Sequence, residues 1–158
     1  MATSLQVDAP FAARINPQLI ENAVTATLDF VNQDQASLVS VVVTDTAHIQ
    51  HLNQLYRGLD SPTDVLSFQN TPDAGFPHEL LPESPYLGDI IIAYPVAEAQ
   101  ANLANHTPAE EVALLTVHGT LHLLGFDHEN ARHKADMWAA QEQIMTGLGL
   151  AHVQPTET

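Results

Sequence analysis

The stretch "TPAEEVALLTVHGTLHLLG", residues 107–125, constrains the fold more than any other part of the chain. Thr107 is placed to cap a helix, Pro108 suits its first position, and Glu110 three residues after the cap completes a capping box. Gly125 has no Cβ and can turn left-handed, so the spacing predicts a helix stop there. Between these signals Val112, Leu114, Leu115, Val117, Leu121 and Leu123 make the helix apolar nearly all round. A helix that is apolar all round must be covered on all sides. The rest of the chain has to wrap it.

What surrounds it reads as helices and a few strands. Residues 17–31 carry a helical stripe (Leu19, Ile20, Ala23, Val24, Leu28, Val31) behind Asn16 as N-cap and Pro17. "SLVSVVVTD" is β-branched and predicts a buried strand. Asp45 can cap "TAHIQHLNQLYR", and Gly58 closes that helix. A Ser-Pro turn leads into a short strand from Val65 to Phe68. Residues 70–87 hold four prolines and a glycine and predict an irregular loop. "GDIIIAY" is a further strand, Pro95 opens a helix to about Asn105, and a last helix spans about 131–147 with a loose tail from about 151. The elements do not alternate strictly, which predicts an α+β fold: a small, mostly four-stranded mixed sheet packed with about five helices. A chain of 158 residues is long enough to bury one core, so residues 1–158 read as a single domain.

Near its end the central helix carries chemistry. His118 and His122 are four residues apart, which puts them on one face with Cβ atoms roughly 5–6 Å apart. The chain reversal at Gly125 can bring His128 back as a third donor. Three neutral imidazoles with one open position is the arrangement of a catalytic zinc, and a helix C-terminus favours positive charge. The metal site is therefore expected at the C-terminal end of the buried helix. His133 sits in the polar stretch "ENARHK" and reads as solvent-facing, while His48, His51, His78, His106 and His152 are scattered. The spacing 118, 122, 125 (Gly), 128 coincides with the H-E-x-x-H-x-x-G-x-x-H pattern of metzincin proteases. Gly119 is the departure, because those enzymes carry their general-base glutamate there.

Charge limits the partners. Four Lys and Arg against nineteen Asp and Glu give −15, which excludes a broad nucleic-acid-binding face. Arg14, Arg57, Arg132 and Lys134 are all the formal cations there are. No cysteine, no signal-peptide pattern and no apolar run long enough for a membrane together predict a cytoplasmic protein.

The run His118, Gly119, Leu121, His122, Leu123, Gly125, Phe126, Asp127, His128 resembles the H-G-x-L-H-L-x-G-[YF]-D-H signature of the bacterial YbeY endoribonucleases. "LNQLYRGLDSPTDVLSF" (52–68) and "LGDIIIA" (87–93) extend the resemblance, which runs from about Asp45 to Gly149. It implies a zinc-dependent, single-strand-specific endoribonuclease acting in ribosomal RNA maturation, notably at the 16S rRNA 3′ end, and in ribosome quality control. It also implies His118, His122 and His128 as ligands of one zinc ion per chain, and Arg57 as a catalytic residue beside His118. The partners implied are single-stranded rRNA, the small ribosomal subunit and assembly proteins, with no membrane and no DNA.

Arg57 could grip a phosphate in a bidentate way, or simply serve the dipole at a helix C-terminus. Asp127 could accept a hydrogen bond from a ligand histidine, cap the turn, or take a proton. Asp64 and Asp89 read first as local backbone partners. Two other functions compete: a zinc hydrolase of metzincin-like geometry acting on another substrate, and a non-enzymatic ribosome-assembly factor with a structural metal. A fourth protein donor at the metal would favour the last; an open position favours an enzyme.

Overall fold

The computed structural model describes residues 3–33, 36–70 and 86–155. Four strands form one mixed sheet: β1 (Thr3–Val7), β2 (Leu38–Thr44), β3 (Val65–Gln69) and β4 (Tyr86–Ala93). Their order is β1-β2-β4-β3, with β1, β2 and β4 parallel and β3 antiparallel at the edge. Five α-helices accompany them: α1 (Pro17–Phe30), α2 (Thr46–Arg57), α3 (Tyr94–Ala104), α4 (Pro108–Leu123) and α5 (Ala131–Gly147). A 3₁₀ helix, Ala9–Arg14, follows β1. The α+β architecture with a small mixed sheet is as the sequence predicts.

The layers follow from side-chain alternation. One sheet face presents Val39, Val41, Val43, Ile90 and Ile92, all fully buried, to a cluster that takes in Ile20, Val24 and Leu28 of α1 and Val112, Leu115 and Leu123 of α4. The other face offers Leu66 and Ile91 to Ile49 of α2. The far side of α4 packs Leu114, Val117 and Leu121 against Met137, Ile144 and Met145 of α5. So α4 lies between the sheet and α5, which is why it is apolar over most of its girth. Its capping box forms as read: Glu110 N–H donates to Thr107 Oγ1 at 3.1 Å, and Thr107 N–H donates to Glu110 Oε1 at 2.8 Å.

Several boundaries differ from expectation. β1 was not anticipated, since five residues with one alternation carry little local signal. It exists because Thr3–Val7 runs parallel to Val39–Val43. Tyr94 opens α3 instead of closing β4. The chain after Leu150, expected to be loose, is held further along: Val153 is 3% exposed, and His152 bonds Glu110 across from α4. Most of the expected loop, residues 71–85, lies outside the described residues.

Candidate metal centre

The end of α4 is built so that two imidazoles face one another. Gly125 adopts φ +100°, a conformation that an L side chain rarely enters. Its N–H bonds His122 O at 3.0 Å and Phe126 N–H bonds Leu121 O at 3.0 Å, a Schellman closure. That closure returns the Phe126 carbonyl to His122, whose Nδ1 lies 2.9 Å from it. His118 Nδ1 in turn meets Gln141 Oε1 of α5 at 3.0 Å. Both partners are acceptors, so each Nδ1 carries the hydrogen. In a neutral ring that leaves Nε2 bare, and the two Nε2 atoms stand 3.1 Å apart. Two lone pairs aimed at one another this closely are an arrangement that a cation relieves.

The charge states agree. Burial, first of all, pushes His118 below its ordinary range. Burial, then the neighbouring His118 and His128 rings, pushes His122 down to about 4. His128 comes back past the glycine turn, its ring 5.8 Å from His118 and 5.1 Å from His122. The donor nitrogens of all three lie within 4.8 Å of one another, and among the described residues they are the one such group of three or more. Among the described residues no carboxylate joins them and no fourth protein donor closes the set. Trp138 packs edge-on against both His118 and His128, at 5.6 and 5.7 Å, and walls the site on the α5 side.

Strand β3 supplies the opposite support. Ser67 and Gln69 point the same way along it, and Ser67 Oγ donates to Gly119 O at 3.3 Å. Gln69 Nε2 donates to His122 O at 3.1 Å, a second donor to a carbonyl of the last helical turn that the Gly125 N–H also reaches. Gly119 is accounted for by this contact. A Cβ there would stand 2.8 Å from Ile90 Cγ2 and 3.1 Å from Ser67 Oγ. Position 119 therefore faces the sheet, and this fold has no room for a glutamate at the place where a metzincin carries one.

Two cavities meet at the cluster. The larger, about 710 Å³, is lined by all three histidines, Arg57 and the β3 residues. The smaller, about 330 Å³, is lined by Trp138, Leu114, Leu115 and Lys134 among others. Arg57 thus opens onto the same cleft as the histidines, from the C-terminal end of α2 that Gly58 closes in a left-handed conformation. Lys134 was not anticipated near the site. Arg14, by contrast, pairs with Glu98 at 3.6 Å. The larger cleft also holds Asp64, Asp127 and Glu129, so carboxylates outnumber its guanidinium.

Of the polar residues weighed from sequence, Asp127 serves the turn. Its Oδ1 accepts from Glu129 N–H at 3.2 Å and pairs with exposed His133 at 2.8 Å, and those contacts hold its carboxyl below the usual range. Asp89 accepts from the Tyr86 hydroxyl. Sequence reasoning missed Gln141, and it missed a buried group beside the centre: Glu111, fully buried, 2.6 Å from His106. Burial raises the Glu111 carboxyl above its ordinary range. A signal existed, since Glu111 is a charged residue on an apolar helix two turns before His118 and on the same face.

The family model described as Endoribonuclease YbeY matches residues 6–149. The chain belongs to the YbeY family. A relative named Endoribonuclease YbeY from Roseiflexus sp. (strain RS-1) is 45% identical over 150 residues, covering 93% of this chain and 92% of that one. Another of that name from Chloroflexus aurantiacus is 40% identical over 153 residues, covering 95% and 98%. The solution structure of a Thermotoga maritima protein shares the fold at a TM-score of 0.54 and 22% identity, covering 98% of this chain and 99% of that chain. The YbeY match thus extends back to residue 6, well before Asp45, over the end of β1 and all of α1 and β2, whose residues are generic core formers.

Proposed function

We propose that this YbeY protein is a zinc-dependent endoribonuclease that cuts single-stranded ribosomal RNA, in 16S rRNA 3′ end maturation and ribosome quality control. The observation that carries this reading is the convergence of His118, His122 and His128, with no fourth protein donor among the described residues, in a cleft that Arg57 shares. The names of the relatives support the substrate class. The three histidines would hold one zinc ion per chain. Bound there, zinc supplies a Lewis acid for a phosphoryl oxygen and brings the pKa of a bound water to about 7.

The chain's own residues do the rest. Gln141 and the Phe126 carbonyl keep both Nε2 atoms bare and aimed. Arg57 offers a planar guanidinium to the phosphate flanking the cut. A divalent ion held by the three histidines would offset the excess of carboxylates in the cleft. With so few cations elsewhere, assembly proteins and the small subunit would position the chain on its RNA, in the cytoplasm. A metzincin-like peptidase is disfavoured because position 119 faces Ile90.

The test is cleavage of a single-stranded ribosomal RNA precursor by wild type, His118→Ala and Arg57→Ala, with metal content measured on each. Loss of cleavage and of the ion in His118→Ala, and loss of cleavage with the ion retained in Arg57→Ala, is the expected result. Equal cleavage by all three would show that this site is not responsible.

A further inference from the structure

The two cavities at the centre share three lining residues: His118, His128 and Asp64. Among the described residues Asp64 is thus the one carboxylate that lines both cavities, although it stands outside the group of mutually close donors. Its rivals in the larger cleft are committed or remote. Asp127 commits Oδ1 to the turn and to exposed His133, and Glu129 is exposed. Asp64 is firmly held. Its carbonyl accepts from Ala93 N–H at 2.9 Å, and its Oδ1 accepts from Val65 N–H at 2.8 Å.

Oδ2 meets a different group. With its amide nitrogen turned toward its two acceptors, Gln100 donates to Asp64 Oδ2 at 3.3 Å and to Glu111 Oε2 at 3.0 Å. Glu111 is anchored by His106, and both side chains are almost wholly buried. A buried carboxyl with this many fixed partners is a rigid post. It holds Gln100, and Gln100 holds Asp64. Only one oxygen of Asp64 is taken by its own strand; the other, beyond its bond from Gln100, keeps acceptor capacity.

We infer that Asp64 is the proton acceptor for RNA cleavage, and that Gln100, tied to the buried Glu111–His106 pair, is the positioning residue that aims it. This rests on the endoribonuclease reading above. Asp64 takes the proton of the attacking hydroxyl, whose electron pair forms the new bond to phosphorus. The bond from phosphorus to the leaving oxygen breaks with its pair, and that oxygen takes a proton from solvent. Asp64 then gives up its proton before the next turnover.

Asp64→Asn tests this well, because its carbonyl oxygen can still accept from Val65 N–H and keep the start of β3. The variant should retain one ion per chain and bind RNA at least as tightly as wild type, while kcat falls by about 10²–10⁴-fold. Formate should restore part of the rate in Asp64→Ala. Gln100→Leu should lower kcat by about tenfold in the wild-type background and have no further effect in Asp64→Asn. Loss of cleavage in His118→Ala with Asp64→Asn within about threefold of wild type overturns this inference alone. Loss of the ion or of RNA affinity in Asp64→Asn overturns it too, since Asp64 would then act in binding. Equal cleavage by wild type and His118→Ala overturns the endoribonuclease reading, and this inference with it.

Discussion

Two glycines shape the centre by opposite means. Gly119 is required by contact, since a Cβ would press on Ile90 and Ser67. Gly119→Ala should therefore cost about 1–3 kcal/mol in urea denaturation through overpacking, and a stability equal to wild type would show that α4 can move off the sheet. Gly125 has open space around it and is required by its φ of +100°. Gly125→Ala should cost about 1–2 kcal/mol and also weaken metal binding, because Phe126 O would no longer be held against His122. His122 adds a pH signature to the metal-free protein. Unfolded, the imidazole takes its proton near 6.5; folded, burial and the neighbouring rings delay this to about 4. Stability from this group is complete above about pH 6.5 and is lost as pH falls toward 4. Urea midpoints of chelator-treated wild type should fall over that window more steeply than those of His122→Asn. Parallel profiles would contradict the buried, neutral assignment.

At the scale of elements, legibility tracked how local the deciding interactions were. α4 could be read almost whole, because its capping box, its apolar girth and its glycine stop are all written within nineteen consecutive residues. The same locality made the His118–His122 pair and the return of His128 readable. β1 was not readable, because "TSLQV" becomes a strand only by pairing with β2 more than thirty residues away. Gln141, Gln69, and the Gln100 link between Asp64 and Glu111 were hidden for the same reason: each acts on a partner from another element. Thr107→Ala should confirm how much of α4 is set locally. Loss of the cap should cost about 1 kcal/mol in thermal or urea unfolding while leaving zinc stoichiometry unchanged, since the centre lies at the other end of the helix.

Taken whole, the molecule has to bring a polyanion to a chain of net charge −15. The cations nearest the centre are one on each side: Arg57 lines one cavity, Lys134 lines the other, and the histidine cluster lies between. If only about two phosphates are contacted, the salt dependence of single-stranded RNA affinity should be shallow, with a log–log slope of about −1.4. A slope several times steeper would reveal a basic surface that this fold does not possess. Affinity should also fall when the protein is stripped of metal, because the carboxylates of the cleft are then left uncompensated. The central claim is that one ion held by His118, His122 and His128 makes this fold a ribonuclease. The most direct measurement is the rate of single-stranded rRNA cleavage against zinc occupancy, in protein stripped with chelator and reloaded stepwise. The account predicts a linear rise that saturates at one ion per chain and a flat line for His122→Ala. Full-rate cleavage by the stripped protein would contradict it.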